Sequence, residues 1–457
     1  MEAPTTPPLK TTPFCYKQWK AIGNPSDFIN LLVGEFGDFI HYRGLINFYL
    51  INDAALVAQV FKQTHRNFNK QTPIYKRFRH ALGNSLVNAE GEHWKRQRKL
   101  INPTFTPASV KSFFEVMVQH TNQHIQKWDH LDSAENELNF SMEMNRLALG
   151  VSGEILFSNS FQARAEEIFS WVKIISRFSA RPPFPIISSP KFPRPLTMKM
   201  NQVWKEFKQF IESLVEERQR LPAEHQPNDL FSIFLNMVDE QTGEGMSEQE
   251  IAEEILGMII GSHESTATAL TWFFYELEQN PEIETKILDE INRTIGDSDL
   301  SYENIGELKY LKQVIYETLR LHPPFWFENR NVTTPVDLGE QSLKTGDLVV
   351  LSRYALHRNA KYWPNPDDFN PDRFDESKVN IDNLIRSGCY VPFSTGPRVC
   401  IGRHFAMMEL IIITTSILKK YHLRIKKGQS AEASTHLTME LKNALMVTLI
   451  PRTVQTS

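Results

Sequence analysis

Cysteine is scarce in this chain: its 457 residues include three, Cys15, Cys389 and Cys400, with no CxxC pair among them. That is too few for a disulfide framework and points to a reducing compartment. An excess of positive charge is also missing, since 50 Lys and Arg stand against 54 Asp and Glu, so no global cationic field recommends a nucleic-acid role. The stretch Met1 to Pro13 holds Pro, Thr and Lys but no apolar run, which argues against a secretory signal or N-terminal anchor and for a soluble, cytoplasmic protein. No fixed-period repeat, low-complexity tract or Gly/Ser linker divides the chain. We therefore expect a flexible start over residues 1–14 and a single domain over 15–457. Phenylalanine, by contrast, is plentiful at 30 residues and suggests large apolar volumes.

One segment imitates a membrane span, because residues 255–275 are apolar over a length that would cross a bilayer. His263 and Glu264 sit at its middle, and an acid there costs roughly 2.5–3.5 kcal/mol on insertion. The segment reads instead as a helix buried in a protein core.

Aromatic and β-branched runs on either side of Arg43-Gly44 read as a hairpin, and Asn52-Asp53 opens a helix to about Lys62. Residues 64–90 look irregular and basic, and Gly91 to Ile101 forms a short helix stopped before Pro103. Helical patterns then dominate, approximately over 107–128, 139–158, 162–178, 198–220, 228–239, 248–278, 281–294, 307–321 and 402–420, with short strands after residue 320. Residues 181–195 hold six prolines and cannot be helical; a stiff connector and a substrate lid are both open readings. The fold class is mainly α with a minor β region, α+β, with strands from both sequence extremes forming a minor sheet.

The most informative segment is Phe393-Ser394-Thr395-Gly396-Pro397-Arg398-Val399-Cys400-Ile401-Gly402. It resembles the cysteine-ligand loop of the cytochrome P-450 superfamily, the haem-thiolate monooxygenases, with Phe393, Gly396, Arg398, Cys400 and Gly402 filling the characteristic positions; the resemblance is to the soluble bacterial type. It implies that Cys400 is the axial ligand of a haem b iron, where a thiolate pushes electron density that favours O–O cleavage. Phe393 would shield the sulfur, Gly396 and Gly402 would let the backbone approach it, and Arg398 would pair with a haem propionate. Two bland readings compete: a buried cysteine beside a turn, and a zinc site from Cys389, Cys400 and His404, which lacks a fourth ligand.

Further segments extend the resemblance from about residue 38 to 450. Glu317-Thr318-Leu319-Arg320 resembles the family's ExxR helix, and with Arg373 of Pro371-Asp372-Arg373-Phe374 implies a buried structural ion network. The same i,i+3 spacing at Glu143 with Arg146, Glu217 with Arg220 and Glu290 with Arg293 reads as solvated helix faces. Trp94 and Arg98 match a WxxxR helix and, with the less specific Arg330, are expected at the propionates. Gly261-Ser262-His263-Glu264-Ser265-Thr266 is similar to the family's oxygen-activating helix segment, with Ser262 replacing a usual glycine and Ser265 a usual threonine. Small Gly261 would leave room for dioxygen, and Glu264, Ser265 and Thr266 would relay protons. The alternative for Ser265 is a hydroxyl bonded to its own i−4 carbonyl.

The resemblance thus implies a fold with haem between the long central helix and the cysteine loop. The activity it implies is insertion of one oxygen atom from dioxygen into an apolar substrate such as a fatty acid, terpenoid or steroid. The 64–90 segment, Ile260 and Gly261, and Phe325, Trp326 and Phe327 are the pocket candidates that the resemblance implies, with core packing of two of the aromatics as the alternative. Electrons would come ultimately from NAD(P)H through a separate ferredoxin- or flavodoxin-type donor, docking on a basic patch of Lys95, Arg96, Lys99 and Arg403 or finding there only a solvated helix face. Other readings are a peroxide-driven peroxygenase or isomerase of the same fold, and a non-catalytic haem-binding sensor.

Overall fold

The computed structural model describes residues 6–18, 20, 24–130, 137–158, 164–179, 195–222, 225–429, 431–435 and 437–452. The proline-rich segment lies, up to residue 194, outside the described residues. Among those described, the helices of nine or more residues are α1 (Pro25–Phe36), α2 (Ala54–Lys62), α3 (Pro73–Leu82), α4 (Gly91–Ile101), α5 (Phe114–Gln126) and α6 (Phe140–Phe157). They continue as α7 (Ala165–Ser179), α8 (Pro195–Arg220), α9 (Glu248–Gln279), α10 (Pro281–Thr294), α11 (Lys309–Leu321) and α12 (Arg403–Lys420). The strands are β1 (Lys10–Thr11), β2 (Phe39–Tyr42), β3 (Phe48–Ile51), β4 (Phe68–Asn69), β5 (Leu138–Asn139), β6 (Phe327–Val332) and β7 (Val336–Leu338). Then come β8 (Gln341–Leu343), β9 (Leu348–Ser352), β10 (Tyr421–Ile425), β11 (Ala433–Thr435), β12 (Met439–Leu441) and β13 (Met446–Pro451).

The apolar run that imitates a membrane span forms the interior of α9. Its 32 residues extend about 48 Å at about 1.5 Å per residue, starting from a capping box in which Ser247 and Glu250 satisfy each other's backbone N–H groups. It packs against α6, α11 and α12 inside the largest apolar cluster. Among the described residues no helix is long and apolar enough to cross a membrane.

Strands from distant parts of the chain share one six-stranded sheet in the order β1-β2-β3-β9-β6-β4. The start expected to be flexible is partly ordered: Lys10 and Thr11 pair in parallel with Ile40 and His41, so an open sheet edge captures that backbone. A second departure lies in 64–90, expected to be irregular. Thr72 caps α3 by accepting from Tyr75 N–H, and Pro73 takes the first turn, where its missing N–H costs nothing. β4 pairs antiparallel with β6, and the register Asn69↔Asn331 brings Lys70 beside Arg330. Sequence-distant cations thereby meet at one wall.

Candidate functional site

The cysteine loop is shaped by one glycine. Gly396 adopts φ 71°, and a Cβ there would meet Phe61 O at 2.7 Å, so a side chain would force the loop off α2. A short turn over Gly396–Arg398 follows, Cys400 N–H donates to Phe393 O at 2.9 Å, and α12 begins at Arg403. Cys400 is exposed towards a cavity of about 710 Å³ that it lines together with Phe393 and Gly402. The surrounding protein pushes its thiol up, while the Gly402 N–H and the charges of Arg98, Arg353 and Arg403 pull it down.

Behind this loop stands the ion network expected from Glu317, Arg320 and Arg373. Glu317 and Arg320 are both 0% exposed and bind bidentately, Nε to Oε2 at 2.7 Å and Nη2 to Oε1 at 2.8 Å. The remaining Arg320 donors reach His357 O, Pro366 O and Asp368 O, so all five N–H groups are occupied. Arg373 Nε completes the set at 3.3 Å from Glu317 Oε1.

A second cationic cluster is built differently. Arg398 lies 3.9 Å from the Trp94 ring centroid and binds Glu90 at 2.9 Å and Ala89 O at 2.8 Å. Arg330 binds Glu328 at 2.6 Å, and Arg98 Nη1 donates to Val399 O at 2.9 Å. The Nε groups of Arg330 and Arg398 have no hydrogen-bond partner, although both residues are buried. Lys70, absent from the sequence reading, is also buried on this wall and donates to Val87 O at 3.0 Å. Burial, with the charges of Arg330 and Arg398, brings its amine down to about 7. Such a concentration of incompletely paired cations fits a group bearing carboxylates, as haem propionates do. Trp94, Arg98 and Arg398 lie on the cavity wall; Arg330 is in the cluster but not on the wall.

The cavity also brings Ile260, Gly261, Glu264, Ser265 and Thr266 together with the cysteine loop. A Cβ on Gly261 would meet nothing within 4 Å, so the missing side chain adds to the open space. Ser265 takes the bland alternative: its hydroxyl donates to Gly261 O at 2.7 Å, the i−4 carbonyl of its own helix. Thr266 donates to Glu409 Oε2 of α12 at 3.0 Å, and burial pushes Glu409 up to about 8. Glu264 accepts from Ser176 at 2.7 Å and from Thr438 at 2.8 Å. Glu254, a further buried acid on the wall, accepts from Leu86 N–H and is pushed by burial up to about 8.

Phe325, Trp326 and Phe327 all line the cavity, and Trp326 and Phe327 at the same time pack in an apolar cluster under the sheet, so both readings of these aromatics hold. Cys389 lies in another apolar cluster with its sulfur against Ser387 and Leu384 O, and among the described residues no group of three His, Cys, Asp or Glu is arranged to hold a metal ion, so the zinc reading has no support. Three of the four residues of the expected basic patch are paired, Lys95 with Glu92, Arg96 with Glu250 and Lys99 with Asp239, while Arg403 donates to His404 Nε2, so the field available to steer a partner is reduced. Glu409 was legible as a lone acid in an apolar helical run; Glu254, beside Glu253 in an acidic turn, and Lys70, after a two-residue strand, carried no such pattern.

Comparison with known proteins agrees with this geometry. The family model described as Cytochrome P450 matches residues 4–451. A cyclooctat-9-en-7-ol 5-monooxygenase of Streptomyces melanosporofaciens is 28% identical over 397 residues, covering 86% of this chain and 84% of that protein. Cyclooctatin synthase of the same organism is 29% identical over 391 residues, covering 85% and 83%. Human cytochrome P450 4V2 is 28% identical over 400 residues, covering 82% and 74%.

Proposed function

The chain belongs to the cytochrome P450 family and is a haem-thiolate monooxygenase, and from that premise we propose how its own residues divide the work. Bound haem supplies the redox-active iron that activates dioxygen for insertion of one oxygen atom into an apolar substrate. Cys400 would hold the iron; Arg398, Lys70, Trp94 and Arg98 would hold the propionates. Gly261 keeps the space beside the oxygen-activating segment free. With the Ser265 hydroxyl held by Gly261 O, proton delivery falls to Glu264. Electrons are delivered from NAD(P)H by a separate ferredoxin- or flavodoxin-type donor, to an enzyme working in the cytoplasm.

The substrate is neutral, and a terpenoid or steroid fits better than an ionised fatty acid. Among the described wall residues the cations Lys70, Arg98, Arg353 and Arg398 belong to the cofactor side, and the other ionisable groups in contact with the cavity include the acids Glu254, Glu264 and Glu409. With those cations on the cofactor side, no Lys or Arg among the described wall residues remains to pair a substrate carboxylate, and burying a charge without a counter-charge is costly. The relative that acts on cyclooctat-9-en-7-ol takes a neutral alcohol by its name, which supports the same class here.

The observation that carries the reading is that Cys400 and the Gly261–Thr266 segment face one apolar cavity. A ligand screen on the haem-loaded enzyme tests it, following the absorption change on substrate entry. Neutral terpenoids and steroids are expected to shift the spectrum at lower concentration than carboxylates of equal size; the reverse order would overturn the substrate class. The Ser265 geometry also favours a second reading, a peroxide-driven peroxygenase, which turnover with peroxide but none with dioxygen and electron donors would establish.

A further inference from the structure

Glu264 does not end the polar chain that leaves the cavity. Thr438 Oγ1 lies 2.8 Å from Glu264 Oε1 and 2.9 Å from Glu440 Oε1. A threonine hydroxyl carries one hydrogen and can donate to only one of these oxygens. The other contact is a hydrogen bond only if that carboxyl brings its own proton. Both contacts are hydrogen bonds when one of the two carboxyls is protonated, an arrangement that like charges at close quarters favour.

The two ends of the bridge differ in their surroundings. Glu264 is 7% exposed and lines the cavity, whereas Glu440, on β12, is exposed to solvent. The ribbon that carries Thr438 and Glu440 is fastened: Trp272 of α9 donates to Met439 O at 2.7 Å, Met439 N–H donates to Pro324 O at 2.9 Å, and Thr435 pairs with Met439. On the far side of Glu264, Ser176 of α7 fixes Oε2 at 2.7 Å. The bridge is set by backbone and core contacts on both sides.

We propose that Glu440 and Thr438 are positioning residues of the monooxygenase reaction, forming the solvent end of a proton route that runs through the Thr438 hydroxyl to Glu264. This rests on the reading of Glu264 as the proton donor. Insertion of one oxygen atom from dioxygen uses two electrons from the external donor and two protons, and releases one water. In each transfer the Glu440 O–H bond breaks as Thr438 Oγ1 accepts, the hydrogen of Thr438 passes to Glu264 Oε1, and solvent reprotonates Glu440.

The groups facing the pair agree with this direction. His263, beside Glu264 on α9, is held by burial at about 4 and is neutral near pH 7, so it does not strip the pair's proton. Thr438 and Ser176 offer hydroxyls. Glu440 reaches solvent as a residue, but its carboxyl is desolvated where it packs against Thr438, and this, reinforced by the charge of Glu264, pushes it up to about 7. The route is loaded below that pH and emptied above it.

The test uses the haem-loaded enzyme and its Glu440→Gln, Thr438→Val and Thr438→Ser variants, each first shown to keep the ligand-induced spectral shift. Product formed per dioxygen consumed is measured through neutral pH, and the protonated-carboxyl infrared band is titrated without turnover. In the parent enzyme the yield is expected to fall as pH rises through about 7, with the band disappearing over the same range. Glu440→Gln and Thr438→Val lose that pH dependence and release about tenfold more peroxide per product, below the 10²–10⁴ of a fully lost proton donor; Thr438→Ser restores the parent behaviour. Unchanged yield, pH profile and infrared titration in Glu440→Gln would overturn the route. If the parent forms no product from dioxygen, the monooxygenase reading fails, and the infrared titration alone then decides whether the pair holds a proton.

Discussion

Arg320, in the ion network behind the cysteine loop, and Arg398, within the loop itself, are satisfied to very different degrees. Every donor of Arg320 is occupied by Glu317 or by carbonyls of the 357–368 segment, with both side chains of the pair 0% exposed. Arg398 and its neighbour Arg330 each keep a buried Nε without a partner, and Lys70 beside them makes a single side-chain hydrogen bond among those shown. Unmet donors in a buried cluster are costly, so a fold tolerates them where something else binds. The first cluster holds the chain together; the second is arranged to hold a cofactor.

Substitutions that remove one charge from each cluster separate the two roles. Glu317→Ala leaves Arg320 buried without its counter-charge and is expected to cost about 3–5 kcal/mol, read as a lower midpoint in urea unfolding. A loss under about 1 kcal/mol would mean that the network is not structural. Lys70→Met removes a desolvated cation that the fold itself hardly uses. Unfolding of the apoprotein should change little, while haem transfer to an acceptor protein becomes roughly tenfold faster, in keeping with about 1.5–3 kcal/mol for a charge-assisted hydrogen bond. Equal haem retention in the variant would remove Lys70 from the cofactor wall. Ser265→Ala has the smallest effect, since the lost hydroxyl served a carbonyl of its own helix. Stability should move by less than about 1 kcal/mol and the product yield from dioxygen only slightly, and a collapse of that yield would show that the hydroxyl leaves Gly261 during turnover.

The same contrast explains what the sequence made legible. Motifs contained in one loop or helix, such as Phe393 to Gly402, Glu317 with Arg320 and Trp94 with Arg98, were readable because their fixed spacing could be matched to the family resemblance, whereas spacing alone did not separate Glu317 with Arg320 from Glu290 with Arg293. α4 follows its expected span, and α2 begins where Asp53 caps Ala55 and Leu56. Contacts made by pairing distant segments were not readable. Lys70 meets Arg330 through the β4–β6 register, and Glu264 meets Thr438 across 174 residues. Glu290, expected on a solvated face, is instead buried and accepts from Tyr310 and Leu311 N–H at the start of α11, a tertiary cap that its spacing to Arg293 could not reveal. Helix α3 was lost among the basic residues of 64–90, although Thr72-Pro73 is a start signal.

Thiolate ligation by Cys400 is most directly tested by the absorption spectrum of the reduced carbonyl adduct, recorded for the haem-loaded parent and for Cys400→Ala. The parent should show the strongly red-shifted Soret band of a thiolate-ligated haem, and the variant should lose it. A parent without that band, or a variant that keeps it, would contradict the assignment of Cys400 as the iron ligand.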